Sequence, residues 1–517
     1  MSDETDISPG GDLTDDLIAT DVWTDEAVAA AGIPVVDAPF VTIGGGLGSF
    51  ALVDTLRIAG VAPDQIAVLT TLTEPWTTYE YLARNSQIPG HERLRSDSAS
   101  TMDNIWGFPS YAVREGLAAK GFGAKLQPLW NVLVEPVLSD FYTPRAGDVY
   151  RSVEKEAARI GWDTLLRPGI VRMVRRRHGG GYFSVLTPPE GTSVTRRVAY
   201  RSRWAHVAVG YPGVKFLPDL QEYRERHRDF SRVVNAYEPH DHVYEELRAR
   251  GGTVVVRGSG IVGSRILQRL IDDREQHGAD TTIYHLFRNY VHGPQGDSAT
   301  FRRDGGRGFA YQAFNFPKAA WGGQIKDQFE ALDGPERAKL LGRLGGTNTP
   351  RRRSWQEQMD RGLAQGFYRQ TVGSVTSVVP GPNQTIVTTL DGEDGQTYSV
   401  EANFVIDATG LESDIAEHRL LADLLDHGGA ARSDYGRLDV DPDFEIKGTR
   451  AEPGRMYASG SATLGGHYAG VDSFLGLQYA ALRIADDLAD QGFGNRIGVG
   501  RSISQWWRWV RNRKVDG

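Results

Sequence analysis

The chain has 517 residues, a length that predicts about three domains, and its 40% hydrophobic and 24% charged residues are those of an ordinary globular protein. It contains no cysteine, which excludes disulfides, thiolate nucleophiles, zinc–cysteine clusters and iron–sulfur centres, so any redox chemistry must come from an organic cofactor or a metal held by other ligands. The net charge of -8 comes from residues 1–38, which hold ten acidic and no basic residues; the remaining 58 basic and 56 acidic residues nearly cancel and make no case for a nucleic-acid partner.

No run approaches the roughly 18 apolar residues a bilayer span needs, and the start lacks the basic-then-apolar pattern of a secretory leader. A cytoplasmic protein without a transmembrane segment is expected. Residues 1–38 read as an acidic, mostly mobile arm; the alternative is a docking segment anchored on Val22 and Trp23. A first strand at Phe40–Ile43 breaks into Gly44-Gly45-Gly46-Leu47-Gly48-Ser49, followed by a helix with Leu52, Leu56 and Ala59 on one face and a second strand at Ile66–Leu69.

The same grammar returns at Thr253–Val256, Gly258-Ser259-Gly260-Ile261-Val262-Gly263, a helix with Ile266, Leu267, Leu270 and Ile271, and a strand at Thr282–Phe287. Each half continues with a predicted hairpin, Ile170–Val174 with Tyr182–Leu186 and Val375–Val379 with Thr385–Leu390. Each then ends in a strand running into glycine, His206–Gly210 and Phe404–Gly410. Residues 291–367 fit neither half and read as an elaboration, carrying Phe314–Gly323 and the basic turn Arg351-Arg352-Arg353. The Trp- and Arg-rich tail from Trp506 to Lys514 reads as a packed terminal helix or as a membrane-surface contact.

A glycine turn between strand and helix lets backbone N–H groups approach a pyrophosphate at the helix N-terminus. Gly258-x-Gly260-x-x-Gly263, with Ser259 inside it, meets that pattern in full. Gly44-x-Gly46-x-x-Ser49, with Gly48 inside it, departs at its third position. The acid that binds a ribose hydroxyl is missing from the end of the second strand, where Thr70 and Thr71 stand; Glu74 is the nearest substitute. In the second unit the strand ends at Phe287-Arg288 with no acid, which points to the 2′-phosphate of NADPH rather than the free hydroxyl of NAD. Near the C-terminus a strand at Met456–Ala458 leads through Gly460-Ser461 to a glycine-rich turn containing His467, Asp472, Phe474 and Leu475 and then to a helix.

Over residues 40–490 these motifs resemble the FAD- and NADPH-dependent flavoproteins with two dinucleotide-binding domains. The resemblance implies an α/β fold of two Rossmann-like domains, the NADPH domain inserted into the FAD domain. It implies an FAD domain at 39–250 and 401–495, an NADPH domain at 251–400 and a tail at 496–517. In that family the first glycine loop holds FAD and the second holds NADPH. Ala408-Thr409-Gly410 matches the family's crossing between domains, and Val209-Gly210-Tyr211-Pro212 resembles the earlier crossing. Gly460-Ser461 stands where a Gly-Asp pair touches the FAD ribitol. The absence of cysteine excludes the disulfide-reductase branch, and Asn235–His240 lacks the Baeyer–Villiger fingerprint. Glu74-Pro75-Trp76 and Arg95-Ser96-Asp97 resemble the amine N-hydroxylating branch of the class B monooxygenases. That branch implies a monooxygenase taking a small organic substrate, an amine in this branch, and molecular oxygen, through a flavin hydroperoxide. His467 and Asp472 are then the candidates for contact with flavin or substrate. An NADPH-dependent flavin reductase or dehydrogenase, and a redox-sensing flavoprotein, remain alternatives, and self-association into a homo-oligomer stays open. No His-Glu-x-x-His, Walker or Gly-x-Ser-x-Gly motif is present; His240-Asp241-His242 is half a metal site at most, and no metal is expected.

Overall fold

The structure, a computed structural model, describes residues 12–94, 110–134, 140, 142–189, 196–290, 307–309, 324–344 and 352–515. The stretch Phe314–Gly323, the triplet Arg95-Ser96-Asp97 and Arg351 lie outside the described residues.

Among the described residues three sheets organise the chain. The first is fully parallel, in the order Arg455–Ala458 (β17), Trp204–Val207 (β9), Phe40–Ile43 (β3), Ile66–Thr70 (β4) and Leu166–Pro168 (β5). β3, β4 and β9 are buried along their whole length, as strands covered on both faces require. The helix Leu47–Ile58 lies almost wholly buried, and the helix Phe474–Asp490 packs on it.

The second sheet runs Val233–Asn235 (β10), Phe404–Asp407 (β16), Gly252–Arg257 (β11), Thr281–Phe287 (β12), Tyr368–Pro380 (β13), Ile386–Gly392 (β14) and Thr397–Ala402 (β15). Its first five strands are parallel and its last three form an antiparallel meander. β10 and β16 fall outside the 251–400 span expected for the inserted domain, because both pair with the strand that opens the second glycine loop's unit or its neighbour. Where the chain crosses between the two sheets, Val214 and Leu411 form an antiparallel bridge, and the amide of Glu412 donates to Gly213 at 2.9 Å. The buried carboxylate of Asp407 ties both crossings together, accepting from the amides of Leu217 (2.7 Å) and Thr409 (3.0 Å) and from the Thr409 hydroxyl (2.6 Å).

The third sheet corrects the reading of the N-terminus. Ile170–Arg177 (β6), Tyr182–Thr187 (β7) and Val198–Ser202 (β8) form an antiparallel meander, and the chain before residue 38 supplies both of its edges, Val22–Trp23 (β1) beside β6 and Val35–Asp37 (β2) beside β8. Residues 12–38 are therefore a packed layer rather than a mobile arm. Trp23 is completely buried against Phe183, and its indole N–H donates to the Leu17 carbonyl at 2.8 Å. The acidic composition misleads because the complementary charge lies far along the chain, with Arg197 on Asp12, Arg177 and Arg201 on Asp25, and Arg201 on Asp37. The Arg177 guanidinium beside Asp25 holds that carboxyl down to about 2. Among the described residues no helix is long and apolar enough to cross a membrane.

Candidate functional site

Both glycine loops follow one steric plan. Gly44 and Gly258 have φ values of +101° and +124°, and a Cβ on either would collide with the carbonyl oxygen of the neighbouring crossing strand, Ala208 in one unit and Ala408 in the other. These glycines let the loop turn under the adjacent strand. Gly46 and Gly260 are different. Each is the N-cap of its helix with an ordinary extended backbone, and a Cβ there would meet nothing within 4 Å. Neither helix start carries a side-chain cap, so the orphan N–H groups and the positive end of each dipole are open to an anionic group. At the third position Gly263 packs directly against the Gly258 carbonyl.

Ser49, the irregular third position of the first loop, is fully buried beneath the loop, where it has a partner glycine lacks. Thr42 on β3 donates to the Ser49 hydroxyl at 2.9 Å, which leaves the Thr42 oxygen to accept from Nδ1–H of His206 on β9, also at 2.9 Å. Nε2 of His206 then accepts from Ser459, just before Gly460, at 2.9 Å. This buried chain ties the first glycine loop to the late Gly460-Ser461 turn, and burial alone pushes the His206 imidazole down to about 3, so it is neutral. The second loop has its own buried histidine. His285 on β12 donates through Nε2 to the Gly258 carbonyl at 2.8 Å and accepts from the Tyr368 hydroxyl at 2.9 Å.

A cavity of about 600 Å³ opens over the first loop. Of the residues singled out in the sequence, Gly44, Gly46, Gly48, Gly460, Ser461, Asp472 and Phe474 line it together, and the crossing Val209-Gly210-Tyr211-Pro212 forms another wall. Leu475 does not reach the lining, and the helix N-terminus at Phe474 is capped from within by Ser473, which accepts from the Gly476 amide at 3.0 Å. Glu74 also stays outside: its carbonyl accepts from the Thr77 hydroxyl at 2.9 Å, and Thr70, Thr71 and Leu72 occupy the strand end in its place. Trp76 packs behind this wall, stacked on Tyr150 with ring centroids 5.3 Å apart.

Asp472 and His467 part company. Asp472 accepts from the Tyr211 hydroxyl at 3.1 Å inside the cavity wall. His467 lies off the cavity with Arg337 donating to its Nδ1 at 3.2 Å; burial first, and then the Arg337 charge, push its imidazole down to about 4. Residues the sequence did not suggest also line the cavity, namely Tyr79, Arg172, His418 and Arg419. Their spacing carries no signal, since they come from a helix, a meander strand and the start of the helix Arg419–Asp426.

At the second loop Arg288 stands exposed at the end of β12, while Thr409 and Gly410 follow the Ala408 carbonyl against which Gly258 turns. Arg352, from the basic turn, goes elsewhere. It is half-buried and donates to the Leu94 carbonyl (2.8 Å) and the Thr143 hydroxyl (2.9 Å), and loss of hydration pushes its guanidinium down to about 10. His240 and His242 bond to Glu238 and Tyr244 in one case and to Ser231 in the other, so they do not converge.

No protein-family model matches the chain, and no curated protein matches its sequence. Solved structures do. The cadaverine monooxygenase DfoA from Erwinia amylovora, bound to FAD, matches with a TM-score of 0.60 and 16% identity over 93% of this chain and 96% of its own. The ornithine N-hydroxylase KtzI from Kutzneria sp. 744, solved with reduced FAD, NADP+ and L-ornithine, matches with a TM-score of 0.58 and 16% identity over 88% and 100%. The reduced ornithine hydroxylase PvdA from Pseudomonas aeruginosa matches with a TM-score of 0.57 and 16% identity over 88% and 99%. The chain has the α/β fold of these two-domain flavin-dependent N-hydroxylating monooxygenases, one glycine-loop unit inserted into the other.

Proposed function

We propose that the protein is an FAD-dependent, NADPH-consuming monooxygenase that acts on a small organic amine. The observation that carries this reading is the pair of uncapped helix starts at Gly46 and Gly260, each preceded by a glycine that only a turn beneath a crossing strand requires, and each leaving open the space a Cβ would fill. The first cradle opens on a cavity roomy enough for an extended dinucleotide, which suits FAD; the second ends at the exposed Arg288, which suits the 2′-phosphate of NADPH. Gly44, Gly46 and Gly48 would hold the FAD pyrophosphate, with Thr70 and Thr71 at the ribose end, and Gly460 and Ser461 along the linker. Gly258, Ser259, Gly260 and Gly263 would hold the NADPH pyrophosphate.

FAD reduced by NADPH supplies the oxygen chemistry when bound. The chain's own part is positional. Asp407 fixes both crossings, and so fixes how one cradle faces the other. The His206 chain keeps the two ends of the first cavity in register. Tyr211 orients the Asp472 carboxylate in the wall, where it is the group best placed to hold a substrate ammonium or to take its proton. The fold relatives act on ornithine and cadaverine, which makes diamines and amino acids with a terminal amine the first substrates to test. Heat-released FAD near one per chain, amine-stimulated NADPH oxidation and a product heavier by one oxygen atom are expected. NADPH oxidation with no oxygen in any product would favour the reductase reading, and protein that cannot be loaded with FAD would refute both.

A further inference from the structure

The helix Val499–Val510 is inside out. The face it turns to the protein carries polar and basic residues: Gln505 is buried, and Arg501 donates through Nε to the Ile58 carbonyl at 2.7 Å. Farther on, Arg159 donates to the Arg513 carbonyl at 3.4 Å, and Val515 is buried, so the segment is pinned at both ends. Apart from Trp509, which is half-buried, its apolar residues face out. Val499 is 79% exposed, Ile503 55%, Trp506 38%, Trp507 49% and Val510 49%. At about 100° per residue these five fall within one narrow stripe, which runs about 18 Å along the helix. A helix docked by its polar face, leaving a stripe of Val, Ile and Trp in water, loses the hydrophobic stabilisation that amphipathic helices gain by docking. Isolated exposed apolar residues need no explanation, but a continuous stripe of this kind does.

The charge around the stripe identifies what covers it. In a chain of net charge -8, residues 496–515 contain five Arg, one Lys and no Asp or Glu. Arg511 lies over the Trp507 ring of the stripe at 5.4 Å, and Arg513 and Lys514 are exposed just beyond the helix end. A second copy of the chain is a poor occupant, because stripe against stripe sets one basic segment against another with no Asp or Glu in either to answer it. Tryptophan and aliphatic residues fringed by Arg and Lys on a helix lying flat are the chemistry of an anionic lipid interface. We infer that this helix docks the protein, side-on and reversibly, to anionic membrane surfaces.

Co-sedimentation of the full chain with vesicles of pure phosphatidylcholine and of phosphatidylcholine with phosphatidylglycerol tests this. Binding is expected only to the anionic vesicles and should weaken as salt rises. Trp506→Ser with Trp507→Ser should reduce partitioning at least tenfold. Arg511→Gln should reduce it about fivefold at low salt, the effect of one cation near such a surface. Ile503→Ser, on the same stripe and clear of the docked face, repeats the test should the Trp pair perturb folding as judged by circular dichroism. Wild-type protein that stays in the supernatant with both vesicles overturns the inference. So does vesicle binding that both stripe variants leave unchanged, or a concentration-dependent dimer in sedimentation velocity that the Ile503 variant abolishes without vesicle binding.

Discussion

Gly46→Ala separates the ligand's requirement for glycine from the fold's. The backbone at Gly46 has φ −83° and ψ −170°, which any residue adopts, and a Cβ meets no protein atom within 4 Å. The unliganded variant should therefore match wild-type stability to within about 0.5 kcal/mol. The methyl instead enters the space where the pyrophosphate would accept from the helix-start amides. Losing one such charge-assisted hydrogen bond costs about 1.5–3 kcal/mol, roughly a ten- to hundredfold rise in the FAD dissociation constant. With FAD at a hundred times the wild-type constant, wild type gains about 2.7 kcal/mol from binding, and a variant weakened hundredfold gains about 0.4 kcal/mol. Thermal melts with and without FAD, together with flavin retained through gel filtration, read the two effects separately. Gly44→Ala is the contrast: with φ +101° and a Cβ driven into the Ala208 carbonyl, it should destabilise the protein even without FAD. If Gly46→Ala keeps stoichiometric FAD and the full thermal gain, the first loop is not the pyrophosphate cradle.

Arg288→Ala should lower kcat/KM for NADPH about ten- to hundredfold, the value of a guanidinium on a phosphate, with NADH little changed; Arg352 does not mask the loss, its guanidinium being held on Leu94 and Thr143, and equal wild-type use of both nucleotides would contradict the assignment. His206 ionises near 6.5 when unfolded and only near 3 when folded, so the unfolded chain binds the extra proton and stability should fall as pH drops from about 6.5 towards 3, by about 1.4 kcal/mol per pH unit for this group. Melts across pH 4.5–7.5 on wild type and His206→Asn should show a shallower acid slope in the variant, and equal slopes would refute this. Trp23→Ala should cost about 3–5 kcal/mol in denaturant melts, the cost of emptying a buried indole site, whereas a mobile arm would cost nothing. Asp472→Ala should reduce amine-dependent turnover by at least tenfold while His467→Ala changes it less than twofold, and the reverse ranking would return the catalytic assignment to His467.

What was legible in the sequence was whatever is written locally. The glycine turns, the strand and helix around each and the β6–β7 and β13–β14 hairpins all depend on neighbours within about thirty residues, and they fold as the pattern says. The misreadings share one cause: the deciding partner is distant in sequence. Residues 12–38 look like a solvated acidic arm until Arg177, Arg197 and Arg201 are set against them, and a mobile Trp23 becomes a core residue once Phe183 covers it. β10 is the strand the pattern does not announce: three residues long and followed by no glycine loop, it is identified only by its pairing with β16.

The site shows the same division. The sequence marks the positions at which glycine is required but cannot say which requirement applies, and the three glycines of a loop answer to three different neighbours: a crossing strand, a ligand, and the loop's own helix packing. Ser49 breaks the pattern at the third because packing there is replaced by a hydrogen bond accepted from Thr42, the last link of a chain that starts at the Ser459 hydroxyl, more than four hundred residues away. A substitution that looks like decay of a motif is thus a coupling between the two ends of one cavity. Glycine at position 49 would satisfy the motif and leave Thr42 without that acceptor in a buried place, which costs about 1–3 kcal/mol. By that reasoning the departure from the pattern is as informative about the first site as the glycines that obey it.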